Sequence, residues 1–466
     1  MISKKLALEI LNLGLSTGAD YAEIFYEDTN TYSLSIDNGK VETSTNVNSN
    51  GVGIRLLKNL QSVYGYTCDL SKKGLLALAL TLSKSFSDKR VLEVTHLKEK
   101  KYKTISPIGR DYSDVTKEEK VALIKEGLKE IENFDPRIVR TIGGFNDTER
   151  NTVIYTSRGD IVKAKNQFGR AFFMITAADQ NGIETTFEGP GAQMDISYFK
   201  SENINLKKIA REAAETCITM LEAKECPSGV MPVIIQGGTG GVLFHEACGH
   251  ALEASGVSKN LSCFSNKIGE KIASSLVTAI DDSTIPNEWG SIDYDDEGIK
   301  GTKRVLIKKG ILKEYMVDSF NGRRMNAAPN GASRRQSFRY EPTSRMSNTY
   351  IDKGDSKPED IIKATKLGLY AKSFSGGSVD PTTGEFNFAC SEAYIVRDGK
   401  IAEPVKGAVL IGKGEEILPK IDMVGDDLSL SQGMCGASSG SIRVNVGQPT
   451  LRISSITVGG RGGELK

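Results

Sequence analysis

The sequence predicts an α+β protein, with an N-terminal mixed region of helices and antiparallel strands and a β-rich C-terminal domain. Three observations predict it. Before residue 229, alternating apolar segments are bracketed by helices whose apolar residues recur every three or four positions. That order of helix, strands and helix occurs twice. After residue 229, glycines and short β-like segments dominate, and only two helices stand out.

Leu6, Ile10 and Leu13 mark one face of the first helix. The opening Met1–Leu8 resembles the start of a signal peptide. However, Glu9 and Asn12 interrupt the apolar stretch, and no small-x-small cleavage site follows. A strand is expected over Tyr21–Tyr26, and Tyr32, Leu34 and Ile36 alternate. Asp37-Asn38-Gly39-Lys40 is a hairpin signal, because Asn-Gly accepts the positive φ of a tight turn. Strands at Val52–Leu57 and Ser62–Thr67 follow, then a helix through Leu75, Leu78 and Leu82. These elements make an N-terminal domain over 1–87.

Residues 88–113 are charged and irregular, and read as a linker. A central domain over 114–228 begins at a capping-box pattern, Thr116 and Glu119. Val121, Ile124, Leu128 and Ile131 line its first helix. Strands are expected at Thr152–Thr156, Ile161–Lys165, Ala171–Ala177 and Ile183–Phe187, and a helix over Leu206–Ala223. Ser157-Arg158-Gly159 takes the turn place held earlier by Asn38-Gly39. The repeated order points to a diverged internal duplication.

The C-terminal domain, 229–466, opens with a buried strand over Val230–Gln236, with Pro232 near its start. Gly237–Gly241 is a turn, and Val242–Ala254 reads as a helix. Further strands are expected at Val305–Ile307, Ile311–Val317, Ala393–Val396 and Leu451–Val458. A second helix spans Pro358–Ala371, with proline in its first turn. A curled sheet with the Val242 helix packed on it accounts for this pattern.

Composition narrows the function classes. The chain has 60 basic and 59 acidic residues, so no global field recruits nucleic acid or an acidic membrane. The longest apolar stretch, Leu75–Leu82, is far short of a membrane span. Seven cysteines scattered over 466 residues argue against a disulfide framework and favour a reducing cytoplasm.

Two of the three histidines lie five residues apart, in His245-Glu246-Ala247-Cys248-Gly249-His250. Histidine is the commonest metal ligand, and a glutamate between two of them suggests a metal site with its own base. The zinc-protease signature H-E-x-x-H places both imidazoles on one helix face. Here the motif is one residue longer. On a regular helix, i and i+5 diverge by roughly 140°, against roughly 40° for i and i+4. Both rings cannot then reach one zinc at about 2.0–2.1 Å. A single-residue π-bulge restores the alignment, and Gly249 permits the local backbone change. Strand, glycine turn and helix also describe a phosphate loop, but such a loop needs Gly-Lys-Ser/Thr where this chain has Gly-Val-Leu.

Catalytic zinc takes three protein ligands and leaves a fourth position open. The nearby candidates for the third are Cys248, Glu253 and, further on, Cys263. The distant one is Cys435, between glycines on an expected loop. Cys248 reads better as packing.

His245–Glu253 and Cys435-Gly436-Ala437 resemble the TldD/PmbA family, specifically its TldD-type zinc metalloprotease subunit. So do Arg345–Tyr350, Ser391–Tyr394, Pro404–Ala408, Gly447–Arg452 and the closing Ile456–Gly460. The resemblance runs over essentially the whole chain and is strongest after about residue 230. It implies zinc held by His245, His250 and Cys435, with Glu246 as catalytic base. The preference for Cys435 over Glu253 rests mainly on it. It also implies a dimer, either a homodimer or a heterodimer with a PmbA-type subunit, acting on peptides and unfolded polypeptide segments. After Cys435 the chain is Ser-rich, Ala437–Ser441, where the family often has Gly-Gln.

The expected chemistry is zinc-dependent peptide-bond hydrolysis, with Glu246 taking the proton of the attacking water and passing it to the leaving amine. One thiolate and two neutral imidazoles leave a less electrophilic site than three histidines. An extra oxyanion donor is therefore expected, with Arg334, Arg335, Tyr340 and Arg345 as candidates. The alternative is a non-catalytic scaffold or regulatory subunit with a structural zinc, whose partner supplies the chemistry. In such a subunit Glu246 has no obvious purpose.

Overall fold

The computed structural model describes residues 2–180, 182–380 and 382–465. The N-terminal half is built on one long-stranded sheet. Helix α1 (Lys4–Gly14) is capped by Ser3 and leads into β1 (Tyr21–Asp37). β2 (Lys40–Lys58), β3 (Gln61–Thr67) and α2 (Lys72–Ser83) follow. After the charged stretch come α3 (Lys117–Glu130), β4 (Ile138–Thr156), β5 (Asp160–Asp179), β6 (Gly182–Glu188) and α4 (Leu206–Glu222). Helix, three antiparallel strands and helix thus occur twice. The two units meet where β1 pairs antiparallel with β4, from Glu23 opposite Thr156 to Asp37 opposite Ile142, giving the order β3-β2-β1-β4-β5-β6.

Strand length differs from the sequence expectation. Tyr21–Tyr26 and the alternating Tyr32–Ile36 are parts of one 17-residue strand, and Thr152–Thr156 is the end of a 19-residue one. The middle of the β1–β2 ribbon is polar and largely exposed. Ladder hydrogen bonds and side-chain pairs hold it, such as Asn48 Nδ2 to Asp28 and Asn30 at 2.9 and 2.8 Å. The hairpin signal holds as expected, with Asn38 and Gly39 at φ 44° and 78°. Thr116 caps α3, accepting from Glu119 N at 3.2 Å, but the Glu119 carboxylate turns to Arg110 and Lys200 instead. The 88–113 stretch is mostly irregular, yet Lys98–Glu99 adds a short parallel ladder to β5.

Parity assigns the two faces. Ala22, Ile24, Tyr26, Leu34 and Ile36 point to the cores under α1/α2 and α3/α4. Glu23, Phe25 and Glu27 point the other way, towards the C-terminal domain. There Gly51 has no Cβ because one would lie 2.3 Å from the Phe338 ring. A fully buried ion network crosses this interface. Arg55 Nη2 lies 2.8 Å from Glu23 and 2.5 Å from Glu297, and Arg335 Nη2 lies 2.5 Å from Glu23. Arg55→Met leaves two buried carboxylates short of a partner. The expected loss is about 3–5 kcal/mol of unfolding free energy, measured by urea titration of the variant beside the wild type.

The C-terminal domain holds two further large sheets around one core, besides a two-stranded ladder of Ser333–Arg334 with Thr343–Ser344. In the first, Gly229–Ile235 runs between Leu367–Val379 and Leu451–Gly459. Val409–Lys413 and Glu385–Arg397 continue it, and the latter pairs back with Leu367–Val379, so the sheet curls closed. The second has six strands and ends in Asn348–Ile351, Gly440–Gln448 and the edge strand Ser429–Ala437. Two expectations change. The Pro358 helix stops at Lys363, because Leu369–Ala371 pairs with Val233–Ile235 in the sheet centre. Only Ile311–Leu312 of the expected 311–317 strand is a strand, since Met316 bridges to Glu253 instead. A short helix, Ser319–Met325, capped by Asp318, was not anticipated. Among the described residues, no helix is long and apolar enough to cross a membrane.

Candidate metal centre

The histidine motif leaves the strand Gly229–Ile235 through a tight 3₁₀ turn, Gly238–Gly241. Glycine is needed there for contact rather than for phosphate. A Cβ on Gly241 would lie 2.2 Å from Gly447 N, on the strand paired with Ser429–Ala437. The turn thus presses the histidine segment against the cysteine hairpin.

The motif itself is not a regular helix. Val242–Phe244 is α-helical, His245–Gly249 is a π turn, and His250–Leu252 is 3₁₀. His250 N–H donates to His245 O, the i to i+5 bond that the spacing requires. Gly249 has φ −55° and ψ −52°, values open to any residue. Its glycine is explained instead by Met346, whose Sδ would lie 2.3 Å from a Cβ. The expected helix to Ala254 breaks at Glu253, which is extended (φ −77°, ψ 131°) because Ala254 N bonds Met316 O at 2.9 Å.

His245 Nε2 and His250 Nε2 each lie 3.2 Å from Cys435 Sγ, and the three donor atoms fall within 4.8 Å of one another. Cys435 is not on a loop. It sits in the edge strand opposite Ile442. The fit to a metal can be read from the charges. Burial works against ionising Cys435, but His245 and His250 outweigh it and push the thiol down to about 4. Burial likewise opposes charge on His250, yet Glu253 and Cys435 hold its pKa well above the ordinary imidazole value. The group is a thiolate with a proton beside it, in a place where a cation suits equally well. Glu246 lies alongside, its Oε2 3.6 Å from His250 Nε2, and its side chain is 24% exposed and open to solvent.

Glu253 does not join the donors. Its Oε1 is 3.3 Å from His250 Nδ1, on the far side of the ring, and buried. It fixes which nitrogen of His250 faces Cys435. Arg345 is fully buried and donates to Cys435 O at 2.5 Å, to Ser439 Oγ and Gly440 O at 2.9 Å each, and lies 3.8 Å from Glu253. It braces the cysteine strand and is not positioned as an oxyanion donor. Arg335 is likewise taken up by Glu23, and Arg334 bonds Met346 O at 2.9 Å. Tyr340 packs beside Gly440. Cys248 is wholly buried in the core, as expected, and Cys263 lies near Gly384. Sequence reasoning weighed Glu253 and Arg345 for other roles. Their spacing to the motif gave no sign of a supporting shell. Glu253→Gln and Arg345→Met each weaken metal binding by about 10–100-fold. Competition with a chromogenic chelator measures this, with Cys248→Ala as the unaffected comparison.

Three family models of the PmbA/TldA metallopeptidases match the chain: domain 1 over 22–85, the central domain over 110–221 and the C-terminal domain over 228–460. A metalloprotease TldD homolog of Buchnera aphidicola is 34% identical over 95% of this chain and 93% of its own. The chain belongs to the PmbA/TldD family. Another family member, a metalloprotease of Methanocaldococcus jannaschii, is 32% identical over 96% of this chain and 98% of its own. The PmbA/TldD fold is also seen in solved structures. A putative modulator of DNA gyrase from Bacteroides thetaiotaomicron has a TM-score of 0.79 at 20% identity, over 99% of this chain and all of its own. TldE from Thermococcus kodakarensis has a TM-score of 0.77 at 17% identity, over 97% and 99%.

Proposed function

We propose that this PmbA/TldD family member is a zinc-dependent peptidase that hydrolyses peptides or unfolded polypeptide segments. The observation that carries the reading is the meeting of His245, His250 and Cys435 with Glu246 beside them and outside the donor set. When bound there, zinc polarises the scissile carbonyl and acidifies water. The protein's own residues do the rest. Glu246 takes the water proton and delivers it to the leaving amine, a role its exposure allows. Glu253 and Arg345 keep the histidine and the cysteine strand in place.

Substrate binding follows from topology. Ser429–Ala437 pairs on one side only, with Gly440–Gln448, so its outer edge offers main-chain donors and acceptors beside Cys435. An extended peptide adding to this edge is held with weak sequence preference. We further propose a dimer, with a second copy or a PmbA-type subunit, working in the cytoplasm, where the seven free cysteines and a thiolate ligand persist. Zinc per chain by elemental analysis, with hydrolysis of a quenched peptide before and after chelation, tests the function. About one zinc, with activity lost on removal and restored on return, is the expected result. An active metal-free protein rules it out.

A further inference from the structure

A small, partly open cavity lies between the N-terminal sheet and the C-terminal domain, about 50 Å³ in volume. One water needs roughly 10–15 Å³ by this measure, so there is room for about three to five waters or one small anion. Its walls carry four arginines, Arg150, Arg334, Arg335 and Arg443, and two carboxylates, Asp295 and Asp296.

Not every charge here is paired. Arg335 is taken up by Glu23, and Arg150 Nε by Glu27 at 2.9 Å. The Asp295 oxygens accept from the backbone N–H groups of Glu297, Ile299 and Ser333 at 2.9–3.1 Å. Asp296 Oδ2 accepts from Arg335 N at 2.7 Å, and its Oδ1 stands 3.6 Å from Arg150 Nη2. Arg334 is only 8% exposed, and its one side-chain hydrogen bond among the described residues goes to Met346 O. Arg443 donates to Thr148 Oγ1 at 2.8 Å and lies 4.1 Å over the Phe168 ring. Among the described residues, neither Arg334 nor Arg443 has an ion pair. Arg150 Nη2 and Arg443 Nε are buried without a hydrogen-bond partner. Burial first, then repulsion between neighbouring guanidinia, pushes Arg443 down to about 9. Burying cations this way is costly unless an anion completes the site.

We infer that this cavity binds one small oxyanion, a carboxylate or a phosphate-sized ion, held by Arg334, Arg443 and Arg150. Guanidinium forks suit such oxygens. The site shares walls with the metal centre. Ile442, next to Arg443, is paired with Cys435, and the carbonyl held by Arg334 belongs to Met346, which packs on Gly249. Two sources supply the same chemistry: a free inorganic anion, or the terminal carboxylate of a bound peptide.

The test uses the intact chain and inorganic phosphate at constant ionic strength, with chloride as the reference. Saturable heat on titration and a rise in melting temperature are expected in the wild type. Arg334→Gln and Arg443→Gln each weaken phosphate binding at least ten-fold. Phosphate that displaces a free-acid peptide but not its C-terminal amide identifies the peptide terminus as the source. Phosphate that binds without displacing either identifies a free anion. No saturable binding of phosphate, sulfate or acetate by the wild type at millimolar concentration overturns the inference, whatever the folding of the variants. So does binding unchanged in both variants.

Discussion

Glu246→Gln lowers peptide hydrolysis by about 10²–10⁴-fold while bound metal stays near one ion per chain. In barrier terms this is about 2.7–5.5 kcal/mol. The separation of the two readouts follows from the geometry. Cys435 Sγ faces both imidazole Nε2 atoms at 3.2 Å, whereas the Glu246 carboxylate stands off at 3.6 Å from His250 and remains partly in solvent. Glutamine keeps the shape and loses only the basic oxygen. Metal loss in this variant makes Glu246 a ligand and removes its role as base. Unchanged activity leaves the scaffold reading, with chemistry in a partner subunit.

The second large effect is at Cys435. Cys435→Ala takes bound metal from about one per chain to nearly none at micromolar concentrations, and activity falls with it. Two imidazoles alone are a poor zinc site, because thiolate supplies both the charge and the third bond. Glu253 does not compensate, since it is committed to the opposite nitrogen of His250. Elemental analysis after gel filtration under reducing conditions decides the matter. Metal retained at wild-type level would return the third position to Glu253 or another nearby group. Cys435→Asp recovers part of the metal, because a carboxylate oxygen also binds zinc.

Much of the centre is legible in the sequence for one reason. Two histidines five apart have few ways to face one point, and the π turn from His245 to His250 is the geometry that allows it. The Asn38-Gly39 turn is legible on similar local grounds. What escapes the sequence is decided by contact between distant segments. Leu367–Ala371 looks helical locally and is a strand because Val233–Ile235 lies beside it. Gly249 looks like a hinge and is small because Met346 needs the space. Glu253 looks like a ligand one turn on and is turned behind the ring by its bridge to Met316. Arg345 reveals its role only once the cysteine strand is in place over it.

The separation of the three donors along the chain has a consequence for how the protein matures. His245 and His250 leave the ribosome long before Cys435, and the edge strand carrying that cysteine is held by Gly440–Gln448, which is made later still. A growing polypeptide of about 430 residues therefore carries the glutamate and both imidazoles but lacks the thiolate. Under the proposed function, hydrolytic power arrives only once Cys435 and the strand that holds it have been made. A product that stops short of Cys435 lacks the third donor and stays inert.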